Sequence, residues 1–382
     1  MTRPMGRFAV ICNPGHRRVT MFQAALAAQR LPEARVLAWR ELAEPGAAAG
    51  LLSELPDDTV LRIDSMGEDD QVERALLRRG ESAARAERVP AIDPRSLERL
   101  PYERGRILYP RQAHLGFLAT LAEIEAAIAP TWRVVQPVSA IVELFDKRAT
   151  SRRWRALGIP TAEPLDGVRD PDDLRARMRA AGWPSVFVKL ASGSSASCLA
   201  VFEHRGEGDE HATTTVEDTG RARYNTRNLQ RVTGRRALDR LLGFLLGEGS
   251  HIERSIAKAR VDGRYFDLRV LAVDGDPAFV VVRTARHPIT NLHLGGSRGD
   301  VAALRGTVPR ASWDAAMASC VAVQRASGAF HVGVDVMFEP NLTAHRVIEG
   351  NAFGDLLPNL ERDGLDVYGW QIRRLRSSEA GP

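Results

Sequence analysis

Two acids stand inside apolar strands near the end of the chain, and they constrain its fold more than any other feature. Asp335 lies in GVDVMFE, and Glu349 and Asn351 lie in VIEGN. Residues two apart on a strand face the same side, so Glu349 and Asn351 project together. A turn at 340–344 joins the two segments as a hairpin and brings Asp335 to them. Buried acids without a partner are costly. Two carboxylates and an amide oxygen make a hard oxygen cluster. Such a cluster suits Mg²⁺, which keeps waters and takes the rest of its shell from substrate phosphates. The blander reading, a turn acid and an exposed strand acid, fits poorly with their apolar neighbours.

Lysine usage adds a second constraint. Lysine and arginine total 53, yet lysine occurs only at 147, 189 and 258. A position that keeps lysine among so many arginines is a candidate for a compact point charge, which a planar guanidinium does not replace. Lys189 ends the apolar strand VFVKL, just before ASGSSAS. Small residues there let backbone N–H groups approach phosphate oxygens. Alone, Lys189 reads equally as a surface lysine beside a turn, and Lys147 as a solvated helix residue.

The first 130 or so residues alternate strand and helix. RFAVIC, VLAWRE and TVLRIDS read as strands, TMFQAALAAQ and VERALLRRG as helices. This predicts an open α/β domain with a parallel sheet, ending near PTWRVVQP. It contains neither GxGxxG nor a P-loop pattern. LFDKRATSRRWRALG and PDDLRARMRAAG then read as helices, and VFVKL with CLAVFE as a hairpin. Residues 204–236 are polar, either a solvent-facing hairpin or a mobile insertion. Strands crowd the region from 251 on, and the tail from 371 reads as a frayed helix end.

Composition excludes several classes. The 382 residues are 44% hydrophobic and 26% charged, which rules out a largely disordered chain and predicts two or three domains. No run of 18 apolar residues occurs, so no membrane span is expected. The net charge of +5 is diffuse and carries no aromatic-interleaved basic patch, so no nucleic-acid partner is expected. Three scattered cysteines, Cys12, Cys198 and Cys320, argue against a disulfide framework and for a cytoplasmic protein. The loop at 13–18 follows a first strand, where α/β sheets commonly bind ligands. For His16 and Arg17 the simpler reading is a polar loop capping a helix. His287 and His293 read as structural, and Cys198 as a packing residue.

Taken in order, these segments resemble the ATP-grasp superfamily over about 138–352. DKRAT and GIPTA look like its first lysine segment, VFVKL and the Gly/Ser loop like its second. HIER sits at the hinge acid, and GVDV with IEGN completes the metal set. FDLRV, VVR and TNLHLGG are similar to the branch of ribosomal-protein glutamate ligases and peptide ligases. The loop 191–197 carries less glycine than the superfamily's usual lid. The resemblance implies an α/β (α+β) ATP-grasp fold with an N-terminal open α/β pre-ATP-grasp domain at 1–137. A lid subdomain would span 138–250, including the polar 204–236, and a subdomain at 251–376 would carry hinge and metal ligands.

The resemblance also implies roles. Lys147 and Lys189, with Ser192, Gly193, Ser194 and Ser195, would hold the phosphates of ATP, and Glu253 would face the nucleoside. Asp335, Glu349 and Asn351 would bind two Mg²⁺ ions, or Mn²⁺. Arg269 would reach the transferred phosphoryl group or the acyl phosphate, with Arg283 and Asn291 lining the same cavity. Lys258 either joins that cavity or is a solvated loop residue. The activity implied is phosphoryl transfer to a small-molecule or peptide carboxylate. An amine then attacks the acyl phosphate and gives an amide, ADP and phosphate. Alternatives are a kinase acting on a hydroxyl and a non-catalytic nucleotide-binding scaffold. A homodimer is expected by analogy alone.

Overall fold

A computed structural model describes residues 6–193, 197–206, 208–354 and 357–377. Three sheets follow one another along the chain. The first is parallel, with strand order β2-β1-β3-β4. Its elements are β1 (Phe8–Ile11), α1 (Arg17–Ala28), β2 (Arg35–Leu37), α2 (Trp39–Leu42), α3 (Ala47–Ser53) and β3 (Val60–Ile63). They continue with α4 (Asp70–Glu87), α5 (Pro94–Arg99), α6 (Pro110–Ala127) and β4 (Arg133–Val134). All four residues of β1 and of β3 are buried, as expected for strands covered on both faces. The segment VLAWRE is not one strand. Its indole Trp39 is buried and donates to the Asp64 carbonyl at 2.8 Å, and the chain turns into α2.

The middle region holds α7 (Val138–Leu144), α8 (Lys147–Ala156) and α9 (Pro171–Ala181), then β5 (Ser185–Leu190) and β6 (Leu199–His204). It continues through β7 (Glu210–Asp218), β8 (Arg223–Thr233), α10 (Arg235–Gly247) and β9 (Ser250–Arg254). These strands form an antiparallel sheet ordered β8-β7-β6-β5-β9. The polar stretch at 204–236 is thus a hairpin that widens the sheet, which settles the two alternatives left by composition. The boundary expected at 250 falls inside β9, which pairs with β5. One face of the sheet, with Val186, Val188 and Leu190, packs under α9 and α10 around Leu174, Met178, Leu238 and Leu242. The other face carries Phe187 and Lys189.

The last region holds β10 (Arg260–Val261), β11 (Arg264–Val273), β12 (Asp276–Ala285) and β13 (Ser297–Gly299), then α11 (Val301–Thr307) and α12 (Arg310–Ser327). It ends with β14 (His331–Phe338), β15 (His345–Asn351) and α13 (Val367–Ser377). The antiparallel order is β13-β12-β11-β14-β15, with β10 on β11. Phe266, Leu268, Val270, Val334 and Val336 pack on one face with Trp313, Ala316 and Cys320 of α12. The tail is not frayed through 377. Tyr368, Ile372 and Leu375 of α13 pack with Phe22 and Leu26 of α1, because these apolar side chains recur at helical spacing on one face. The chain end therefore returns to the first sheet.

Candidate active site

The cleft lies between the free faces of the second and third sheets, and strand periodicity supplies its lining. On β5, Phe187 and Lys189 point away from the apolar core beneath α10. On β11, Asp267 and Arg269 alternate with core-facing Phe266, Leu268 and Val270. Asp267 pairs in register with Arg283 on β12, and Arg269 with Asp335 on β14. Asp335 in turn faces Glu349 on β15, and Gly333 faces Asn351. The β14–β15 register shifts between Asp335 and Val336, whose partners are Glu349 and Val347. This bulge lets Val347 enter the core while Glu349 turns to the cleft. The cleft encloses about 1070 Å³ including its mouth.

All three lysines line it. Asp146 caps α8, its carboxylate accepting from the N–H groups of Arg148 and Ala149 at 2.9 and 3.2 Å. That places Lys147 in the first turn, where its own N–H donates to the Ala191 carbonyl at 2.9 Å. Its ammonium lies 3.0 Å from Glu349 and donates to the Gly193 carbonyl. Lys189 pairs with Glu253 on β9, which also faces His251 at 3.1 Å. Burial alone would raise the Glu253 carboxyl. The Lys189 ammonium and His251 outweigh burial and hold it down at about 2.

Lys258 is buried, not solvated. It meets Asp267 at 3.1 Å and donates to Thr290 at 2.9 Å. Burial lowers its pKa, against the pull of Asp267. Asp267 also accepts from Arg283 at 2.7 Å and from the Thr290 hydroxyl. Burial opposes its charge, but Lys258 and Arg283 hold the carboxyl well below its ordinary value. Arg283 then reaches Asp335 at 3.1 Å. Burial disfavours its charge, yet Asp335 and Asp267 raise its pKa further. Arg269 grips Asp335 through both Nε and Nη2. Cation and carboxylate alternate across the floor of the cleft, so most charges there are already compensated.

Among the described residues no three His, Cys, Asp or Glu side chains cluster with metal-site spacing. The expected set is instead two acids and an amide. The Asn351 amide nitrogen donates to the Gly333 carbonyl at 3.0 Å, so its oxygen is the atom left to coordinate. Carboxylates on adjacent strands with an amide oxygen fit a hard divalent cation that shares phosphate oxygens.

No known family profile matches the sequence, and no characterised protein matches it at the sequence level. Solved structures match the fold along nearly the whole chain. The ligase PsnB, complexed with a phosphomimetic variant of a minimal precursor, Mg and ADP, is 14% identical with a TM-score of 0.52. The match covers 98% of this chain and 99% of that one. D-cycloserine synthetase DcsG is 15% identical with a TM-score of 0.53, over 97% and 100% of the two chains. The macrocyclase MdnC from Microcystis aeruginosa MRC, bound with precursor peptide MdnA, is 13% identical with a TM-score of 0.51, over 97% and 99%. The chain has the ATP-grasp fold.

Within the ATP-grasp fold, eleven of the expected site residues line the one cleft: Lys147, Lys189, Gly193, Glu253, Lys258, Arg269, Arg283, Asn291, Asp335, Glu349 and Asn351. Ser192 does not line it. It sits in a turn closed by the Gly193 N–H to the Leu190 carbonyl at 3.3 Å. Ser194 and Ser195 lie outside the described residues. His16 accepts from the Arg18 N–H at 3.3 Å as the cap of α1. Sequence reasoning missed Asp267 and Thr290. The signal for Asp267 was present, since it stands two residues from Arg269 on the same strand. Thr290 gave none, because its loop reaches Asp267 only through the tertiary fold.

Proposed function

We propose that this protein is an ATP- and Mg²⁺-dependent carboxylate–amine ligase that forms an amide through an acyl phosphate, with a peptide-like substrate. The observation that carries this reading is the meeting of all three lysines with Arg269, Arg283 and the Asp335–Glu349–Asn351 oxygens in one cleft. A peptide-like carboxylate is favoured because PsnB was solved with a precursor and MdnC with a precursor peptide. The same reading assigns 1–137 to an N-terminal pre-ATP-grasp domain, 138–250 to the lid and 251–376 to the subdomain that carries hinge and metal ligands.

The chain's own groups account for the chemistry as follows. Lys147 and Lys189 hold the α- and β-phosphates, exchanging one anionic partner for another. Asp335, Glu349 and Asn351 hold the divalent cation. Bound there, Mg²⁺ neutralises charge on the phosphates. Arg269 and Arg283, fixed by Asp335 and Asp267, present preorganised positive charge where the phosphoryl group transfers. A substrate carboxylate oxygen attacks the γ-phosphorus and ADP leaves. The amine then attacks the acyl carbon, phosphate leaves, and the amine gives up a proton. Positioning and charge compensation dominate such a reaction.

The test is incubation with ATP, Mg²⁺ and a panel of amino acids and acidic peptides, with hydroxylamine as a surrogate amine. Matched yields of ADP, orthophosphate and hydroxamate support the ligase. A phosphorylated product without orthophosphate replaces it with a hydroxyl kinase. Nucleotide binding without turnover of any acceptor leaves the nucleotide-binding scaffold in its place.

A further inference from the structure

The middle sheet is tied to the first domain by a short strap that ends at the cleft. Residues 105–107 form an antiparallel bridge on β8, Arg106 opposite Tyr224. The Ile107 N–H donates to the Arg223 carbonyl at 2.8 Å, and the Asn225 N–H to the Gly105 carbonyl at 2.7 Å. The Tyr224 hydroxyl donates to Glu103. The strap thus fixes the backbone of Asn225.

Asn225 then reaches the stem of the Gly/Ser loop. Its amide oxygen accepts from the Cys198 N–H at 3.1 Å. Its amide nitrogen donates to the Ser197 hydroxyl oxygen at 2.7 Å. Cys198 has a φ of +50°, in the left-handed region that non-glycine residues rarely adopt. A hydrogen bond to its N–H is one way such a conformation is held. Ser197 lines the cleft. Its oxygen already accepts from Asn225, and among the described residues its proton goes to the Cys198 sulfur at 3.6 Å, a weak acceptor. A phosphate oxygen would displace that contact.

We propose that Ser197 is a phosphate-binding residue of the cleft, and that Asn225 is the positioning residue that aims its hydroxyl. The proposal rests on the nucleotide reading above and extends it to two residues that the superfamily resemblance does not assign. It also accounts for the hairpin β7–β8, which carries the contact by which the first domain sets the phosphate side of the cleft.

The experiment is titration calorimetry of wild type, Ser197→Ala, Asn225→Ala and the double variant with MgADP and with AMP. A hydrogen bond to a charged phosphate predicts roughly tenfold weaker MgADP binding in each single variant. The double variant should be no weaker than Asn225→Ala alone, because Asn225 acts through Ser197. AMP, lacking the outer phosphates, should bind all four proteins alike. Equal MgADP affinity in wild type and Asn225→Ala overturns the proposal, and so do losses that multiply in the double variant. Ser197→Ala keeps the Asn225–Cys198 bond, so it tests the hydroxyl even if Asn225→Ala fails to fold. If wild type binds no nucleotide, the ligase reading falls and takes this one with it. If wild type binds and the variants bind equally, this one falls alone.

Discussion

Arg269 and Asp335 stand directly opposite each other on neighbouring strands, with Nη2 and Oδ2 3.1 Å apart and both side chains nearly buried. Arg283 reaches the same carboxylate at 3.1 Å. Asp335 therefore balances two guanidinium groups besides being a metal ligand in the proposed chemistry. Asp335→Asn keeps the shape and removes the charge. Breaking a buried ion pair from one side typically costs about 3–5 kcal/mol, so the free variant should unfold at clearly lower urea. The gain in melting temperature that Mg²⁺ adds to ADP should also vanish. Full retention of both properties would count against the assignment.

Lys189 and Glu253 predict an acid-sensitive element of stability. The folded carboxyl sits near 2, below its ordinary value of 4.5. A depressed carboxyl contributes stability that is complete above its unfolded pKa and is lost as pH falls toward the folded one. The window is thus between about 4.5 and 2, and the contribution is on the order of 3 kcal/mol. Lys189→Met removes the ammonium, leaves Glu253 buried beside His251, and should flatten that part of the pH profile. Denaturation midpoints from pH 5 to pH 2.5 for the two proteins check it. Parallel profiles would show that the pair is not the cause.

Much of the site could be read before the fold because strand alternation is a local rule. The rule put Glu349 beside Asn351, and it would also have put Asp267 beside Arg269. It could not reveal the bulge at 347–349, since a one-residue offset depends on the partner strand. Nor could it pair Lys189 with Glu253, which requires the register of β5 against β9 across 64 residues. The buried state of Lys258 depends on Asp267 and Thr290 arriving from two other segments. The fold was legible where apolar runs were long, as in β1 and β3. It was least legible at the tail, where packing against α1, β11 and β12, all distant in sequence, holds α13 in place.

Gly105 sits at the centre of the strap. Its φ is +79°, and a Cβ there would lie 3.2 Å from the Asn225 carbonyl oxygen. Gly105→Ala is therefore strained in backbone and in contact, at a cost of about 1 kcal/mol or more. No cleft side chain changes in this variant. Weaker MgADP binding with unchanged AMP binding would locate the effect at the phosphate end, transmitted through Asn225. A loss of stability with no change in either affinity would restrict the strap to a structural role.

Glu248 predicts the opposite pH dependence. It follows α10, and its carboxylate accepts from the Arg111 N–H in the first turn of α6 at 3.0 Å, linking the middle sheet to the first domain. Burial pushes its carboxyl up to about 7, opposed by the Arg111 N–H and by Arg223. A raised carboxyl contributes stability that is complete below its unfolded value near 4.5 and is lost as pH rises through about 7. The loss by pH 8 amounts to up to about 3 kcal/mol. Glu248→Gln keeps a carbonyl oxygen to accept from Arg111 and cannot ionise. Its melting temperature should match wild type near pH 4 and exceed it by a margin that grows between about pH 4.5 and 7 and levels off by pH 8. Glu73, whose carboxyl burial also raises to about 7, titrates equally in both proteins and cancels in the difference. A difference that stays constant from pH 4 to pH 8 would mean that Glu248 is solvated and that this link between the domains is not a dry one.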